Sequence, residues 1–161
     1  MNAVGMWLVK TVTIGAGVTS VPVTDCFTSD YDNYRVTVGF NDCSASANLL
    51  LQFTGLTGSN YFSNGFQIGW QSSINQILVG ATTAWNLGNT FSGFASTAIL
   101  DIVNPQRSIS RTFGQSSMAG PGFATMYMHQ VTVTTATTGF TITPSSGTLT
   151  GGTIRVYGYR N

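Results

Sequence analysis

The segment that decides the fold lies at the end of the sequence, where residues Gly139 to Asn161 read GFTITPSSGTLTGGTIRVYGYRN. It predicts two β-strands joined by a turn, because Pro144-Ser145-Ser146-Gly147 combines residues that favour chain reversal. In the second strand, Ile154 and Val156 share one face, while the arginine and tyrosine that alternate with them share the other. We expect this strand to be half-buried in a sheet and to hold the end of the chain in place.

The composition also favours strands over helices. Of the 161 residues, 7% are charged, against about a quarter in an average soluble domain. Most of the polarity comes from 24 threonines and 16 serines, while glutamate is absent and Lys10 is the only lysine. Good helix formers are therefore scarce, and β-branched and aromatic residues are common. A chain of this length is expected to form one domain, residues 1–161, with its own core.

Short alternating or apolar runs, separated by Gly, Asn, Asp, Ser and Pro, predict eight to ten short strands. In the clearest of them, from Tyr34 to Phe40, every second residue is apolar. Many short strands at this spacing predict an antiparallel β-sandwich, jelly-roll-like, with helix confined to a turn or two. The clearest predicted strands are Leu8–Ile14, Tyr34–Phe40, Leu49–Thr54, Phe66–Trp70, Ile74–Val79, Ala98–Val103, Ser108–Phe113, Thr125–Thr134, Phe140–Thr143 and Thr153–Tyr159.

The stretch from Gly80 to Ser96 is rich in glycine and aromatic residues but lacks steady alternation, so we predict a long surface loop. Long ordered loops in compact domains tend to be functional, which makes this loop a candidate contact surface. The aromatic residues of the chain also exceed what a small sandwich core needs. Candidate contacts to a protein partner or a sugar are Trp70, Trp85, Phe91 and Phe94, with core packing as the alternative for each.

Charge and hydropathy argue against several classes of partner. The net charge is +1 and the six cations form no basic stripe, so we expect no nucleic-acid binding. The nearest approach to a cluster, Arg107 and Arg111, is interpreted as two solvated loop cations. Residues Met1 to Ala16 lack the basic segment and unbroken apolar run of a signal peptide, and no stretch approaches the roughly 18 apolar residues of a membrane span. We expect synthesis in a cytosol and no membrane insertion.

No residue pattern predicts a catalytic, metal or cofactor site. His129 is the only histidine, which excludes a two-histidine metal site. It shares a predicted strand face with Tyr127 and Val131, so we expect it to be packed and hydrogen-bonded rather than catalytic. The segment Asp30-Tyr31-Asp32-Asn33 lacks the spacing and terminal glutamate of a calcium loop, and Gly15 to Ser20 lacks the third glycine of a dinucleotide fingerprint. We therefore predict no cofactor and no enzymatic activity.

The two cysteines, Cys26 and Cys43, are expected to be free thiols. A reducing cytosol leaves most cysteines reduced, and a reduced cysteine packs like a small hydrophobic residue. A disulfide between the two is the alternative.

Three segments resemble a family of small structural proteins of tailed bacteriophages. The first, Leu8 to Val21, looks like the opening hairpin of the family. The second, Phe27 to Val36, looks like its turn feeding a strand. The third and most specific is Gly139 to Asn161, whereas Leu56 to Phe123 matches only in its rhythm of strands and loops.

The resemblance implies a β-sandwich displayed on a virion, usually as a homo-oligomer, and it brings no catalytic residues. A homo-oligomer, with a trimer among the expected forms, also agrees with edge strands that carry little charge and few lysines, since such edges invite pairing. We expect a capsid decoration, or cement, protein that binds the major capsid protein and stabilises the shell.

The alternative is the tip of a tail fibre, joined to tail appendage proteins, that binds a host receptor or surface glycan. Because Met1 begins almost directly on the first strand, without a shaft or coiled coil, decoration is favoured. In either case the protein is expected to be made in the host bacterial cytoplasm and to lie on the virion surface.

Overall fold

The computed structural model describes residues 5–70 and 74–160, and within these ranges the chain forms twelve β-strands and no helix. The predicted all-β class is confirmed, although the strand count exceeds the predicted eight to ten. In chain order the strands are β1 (Gly5–Thr13), β2 (Val21–Val23), β3 (Asn33–Cys43), β4 (Ala47–Phe53), β5 (Tyr61–Gly69), β6 (Ile74–Thr82), β7 (Trp85–Thr90), β8 (Ser96–Val103), β9 (Phe113–Gly120), β10 (Phe123–Val131), β11 (Phe140–Pro144) and β12 (Leu149–Arg160).

The strands form two antiparallel sheets of unequal size, as the predicted sandwich requires. The large sheet has eight strands in the order β1-β12-β3-β8-β9-β10-β5-β6, and the small sheet has four in the order β2-β11-β4-β7. Every neighbouring pair in both sheets is antiparallel. The large sheet therefore extends well beyond the area that the small sheet can cover.

Eight of the strands have the connectivity of a jelly roll. These strands, counted from first to eighth, are β1, β2, β3, β4, β7, β8, β11 and β12. In the large sheet the first pairs with the eighth, the eighth with the third and the third with the sixth. In the small sheet the second pairs with the seventh, the seventh with the fourth and the fourth with the fifth. This order is that of a long hairpin rolled into two sheets. The remaining strands form two inserted hairpins, β5–β6 and β9–β10, which lengthen the large sheet beyond β8.

The core lies between the sheets and is built from the alternate residues of their strands. Val36, Val38 and Phe40 of β3 are buried, as are Ile154 and Val156 of β12, which confirms the alternation predicted for both strands. Each such apolar side chain contributes about 1.5–3 kcal/mol relative to an exposed one. β12 is hydrogen-bonded on both sides, to β1 and to β3, so the predicted strand near the end of the sequence lies inside the sheet.

The prediction of a long surface loop from Gly80 to Ser96 is wrong. This stretch contains the end of β6, the whole of β7 and the start of β8. Trp85, Leu87 and Gly88 of β7 are all buried, because β5, β9 and β10 of the large sheet contact β7 in addition to its partner β4. A strand buried on both faces shows no alternation, which is why its pattern resembled a loop.

The predicted strand Ser108–Phe113 is also wrong, since β9 begins only at Phe113. Most of the segment connects β8 to β9. β9 itself was missed because its inward residues are small or polar, among them Gly114 and Ser116, and so give no apolar alternation.

Both cysteines are free and buried, as predicted. Cys26 lies in the core with its thiol 3.6 Å from the Val23 carbonyl oxygen, and burial raises its pKa to about 12. Cys43 lies near the start of the connection to β4, where its thiol contacts the Ala45 carbonyl and the Thr90 hydroxyl.

Candidate interaction surface

The strands that extend the large sheet beyond β8 carry an apolar outer face. We call the outer face of β9, β10, β5 and β6 the extension face. The strand register places Phe66 beside Met126 and Ile68 beside Ile74, so the exposed side chains are cross-strand neighbours and not isolated residues. The large apolar side chains exposed on the extension face are Phe66, Ile68, Ile74, Leu78, Phe113, Met126 and Met128.

The other residues of the extension face are uncharged. Between the apolar side chains the register places glutamine, asparagine, serine and alanine, with no aspartate, glutamate, lysine or arginine. Contiguous exposed apolar surface of this kind marks contact sites in soluble proteins. The extension face is therefore the candidate interaction surface of the chain.

The alternation of β5 is inverted. Ser63, Gly65 and Gln67 of this strand point inward, while Phe66 and Ile68 alternate with them on the outer face. An antiparallel sheet with one face in water normally has its apolar residues inside and its polar residues outside. The inversion leaves apolar side chains on the solvent side of the extension, which is the reverse of the usual pattern.

The small inward residues make room for Trp85. A Cβ atom on Gly114 would lie 2.9 Å from the Trp85 ring, so a larger residue at that position would displace the indole. Trp85 stacks on His129, with ring centroids 4.9 Å apart, and its Nε1–H donates to the Gln130 carbonyl oxygen at 3.1 Å. The side chain that β7 contributes to the core thus fills the space beneath β9 and β10.

His129 is buried between two serine hydroxyls. Its Nε2 lies 2.7 Å from Ser116 Oγ, and its Nδ1 lies 2.9 Å from Ser63 Oγ, so a neutral ring has both nitrogens hydrogen-bonded. All three side chains are buried, and burial lowers the histidine pKa to about 3. Such an imidazole is a poor general base near neutral pH. The predicted packed and hydrogen-bonded histidine is confirmed.

The outer face of the jelly-roll half of the same sheet carries charged side chains beside apolar ones, whereas the extension face is uncharged. Arg35 donates from Nε and Nη2 to the two oxygens of Asp101 at 2.8 and 2.6 Å, and the Tyr159 hydroxyl donates to the same carboxylate at 2.7 Å. The hydrogen bonds from Arg35 and then Tyr159 hold the Asp101 pKa below its ordinary value. Elsewhere Arg107 donates to both oxygens of Asp32 at 2.9 Å, so this predicted loop cation belongs to an ion pair.

The four predicted contact residues do not form one site. Trp85 is fully buried and cannot meet a partner or a sugar, which corrects its prediction as a surface contact. Phe91 is half-buried, with its ring centroid 5.0 Å from that of Phe123, and Phe94 is 52% exposed in the connection between β7 and β8. Trp70 is 70% exposed at the end of β5, where its backbone N–H donates to the Gly122 carbonyl.

The residues of the extension face were missed because only their position in the sheet makes them notable. Phe66, Met126 and Met128 fit an ordinary strand pattern, in which the apolar side is assumed to face the core. The signal that could have located the face is the serine and glycine that alternate with phenylalanine and isoleucine from Ser63 to Ile68. A core-facing row is rarely made of small polar residues.

No protein-family model and no curated protein gives a significant match to this chain. Within residues 5–70 and 74–160, no helix is long and apolar enough to cross a membrane. The same residues contain no group of three or more His, Cys, Asp or Glu side chains placed to hold a metal ion.

Proposed function

We propose that this chain is a non-enzymatic structural protein of a bacteriophage virion, displayed on the particle surface as a capsid decoration protein. Its work is to bind the major capsid protein and to stabilise the shell through protein–protein contacts. The family resemblance of the three sequence segments gives the virion context, and the jelly-roll sandwich is an architecture that viral capsid domains use.

The observation that carries the proposal is the extension face, a contact surface through which the chain would join its neighbours on the shell. It is built on paired strands, it is apolar and uncharged, and its strands turn their small residues inward. Contacts of this kind depend little on ionic strength, because no ion pairs are available to be screened. Repeating even a modest contact around a shell gives strong overall attachment through avidity.

The assignment as a non-enzymatic protein draws support from His129. The single histidine of the chain is enclosed by Ser63, Ser116 and Trp85, and burial holds its pKa near 3. Its side chain is 4% exposed and both ring nitrogens are engaged by serine hydroxyls, so neither nitrogen is presented to a substrate. General acid–base catalysis, which histidine most often supplies near neutral pH, is therefore not available at this position.

The second candidate function is the receptor-binding tip of a tail fibre, and Trp70 is the observation that favours it. A tryptophan that is 70% exposed beside the apolar extension face could stack on a sugar ring of a host glycan. Trp70→Ala would then abolish binding of the purified chain to host cells. Under the decoration proposal, neither the wild-type chain nor Trp70→Ala binds host cells.

The test of the proposal is electron microscopy of purified virions labelled with a gold-tagged antibody against this chain. Decoration predicts label over the whole head, and a fibre tip predicts label confined to the tail appendages. Virions that take no label, although the antibody binds the purified chain under the same conditions, would contradict both functions.

A further inference from the structure

We propose that the partner of the extension face is the extension face of a second copy of this chain. The inference rests on the proposed function, in which this face is a protein-contact surface, and it names the occupant. The resulting contact is isologous, with the same residues contributed by both copies.

The polar groups of the face suit pairing with themselves. The hydrogen-bonding side chains on it include the amides Asn64, Gln76, Gln115 and Gln130. Each amide carries both donors and an acceptor, so an amide can pair with an identical amide. A face rich in one sign of charge would repel its own copy, and this face carries no charge.

The area of the face supplies the larger part of what a stable pair requires. Its four strands contain eight or nine residues each. At about 4.8 Å between strands and about 3.4 Å per residue, the face covers roughly 500 Å² in projection. Side-chain relief raises the accessible area above this value, and the neighbouring strand β8 adds the exposed Ile99 and Val103 on either side of Asp101. A standard interface buries about 800 Å² on each partner.

The edge of the sheet next to the face is open as well. β6 pairs with β5 on one side and is the terminal strand of the large sheet. Its sequence, INQILVGAT, contains no lysine, proline or other residue that proteins use to block an edge. Ile74 and Leu78 on its outer face are among the most exposed apolar side chains of the described residues. A second copy seated on the extension face would cover these side chains beside the edge.

The experiment is sedimentation velocity of the full purified chain at micromolar concentration, comparing Phe66→Lys with Phe94→Lys. The two phenylalanines are a matched pair, since both are 52% exposed, but Phe66 lies on the extension face and Phe94 in the connection between β7 and β8. Phe66→Lys places two like charges in the contact and is expected to weaken association by about 100-fold or more. The wild type and Phe94→Lys are expected to sediment as the same oligomer.

Circular dichroism and thermal melting establish that each variant is folded, and Leu78→Lys replaces Phe66→Lys if the latter does not fold. A monomeric wild type, or equal association of the Phe66 and Phe94 variants, would overturn the inference. A monomeric wild type that nonetheless labels virions would overturn this inference alone and leave the proposed function standing. A wild-type oligomer that is broken by Phe66→Lys but is found on no virion would overturn the proposed function alone.

Discussion

His129 should make the stability of the fold decrease with acid, and its contribution can be isolated with the His129→Gln variant. The imidazole is neutral in the folded chain because burial lowers its pKa from 6.5 to about 3. Below pH 6.5 the unfolded chain binds a proton that the folded chain does not bind. The free energy of unfolding therefore has its full value above this pH and falls as the pH drops towards 3.

The slope follows from the size of the pKa shift. Each pH unit between the two pKa values removes up to about 1.4 kcal/mol of stability. From pH 7.5 to 4.5 the contribution of His129 is thus about 2–3 kcal/mol. Glutamine offers a hydrogen-bond donor and an acceptor to Ser63 and Ser116 and does not titrate. The difference in pH dependence between wild type and variant then belongs to His129, because all other groups are shared.

The assay is urea unfolding followed by circular dichroism at matched protein concentration, at several values between pH 4.5 and 7.5. Matched concentration matters because association also stabilises a folded chain. A direct companion measurement is nuclear magnetic resonance of the imidazole, which is unambiguous because the chain has a single histidine. Parallel pH curves for wild type and variant, or an imidazole that titrates near pH 6.5 in the folded chain, would refute the reasoning.

Three further predictions concern the core and the jelly-roll half of the large sheet. Trp85→Ala is expected to cost about 3–5 kcal/mol in urea unfolding, whereas a cost below about 0.5 kcal/mol would place the indole on the surface. Asp101→Asn is expected to cost at most about 1 kcal/mol in the same assay, because Arg35 and Asp101 are more than a third exposed; a loss of several kcal/mol would contradict that view of the ion pair. Cys26 and Cys43 are expected to react with iodoacetamide only after unfolding, and mass spectrometry showing rapid modification of the native chain would be inconsistent with their burial.

Much of the jelly roll could be predicted from local pattern, because its strands have one face in the core and the other exposed. The strand from Tyr34 to Phe40 and the strand around Ile154 show this alternation, and both lie in the predicted place with the predicted face buried. Ser145, Ser146 and Gly147 separate β11 from β12 as expected, with Gly147 at a positive φ of 73°, although Pro144 is the last residue of β11. In such strands the buried residues are every second residue, so the buried face can be predicted from the sequence.

The strands that could not be predicted are those whose surroundings come from distant parts of the chain. β7 is covered by β5, β9 and β10, so Trp85 is buried although its neighbours alternate neither by two nor by 3.6 residues. β9 has a glycine at position 114 because that indole occupies the space beneath it, and a Cβ atom on Gly65 of β5 would clash with the backbone of Met126. The apolar character of the extension face becomes visible only when Phe66 and Met126 are placed side by side by the strand register.

The most direct measurement on the extension face is peroxide oxidation of the methionines in the purified wild-type chain, read residue by residue by mass spectrometry. In a single copy Met126 is 49% exposed and Met128 is 63% exposed on the extension face, while Met6 is 50% exposed on β1 at the opposite edge of the sheet. Oxidation of methionine follows its exposure to the oxidant. If a second copy covers the face, Met126 and Met128 are protected and Met6 is oxidised, and the protection disappears in Phe66→Lys. Oxidation of all three at similar rates in the wild type would contradict the assignment of a second copy as the occupant of the extension face.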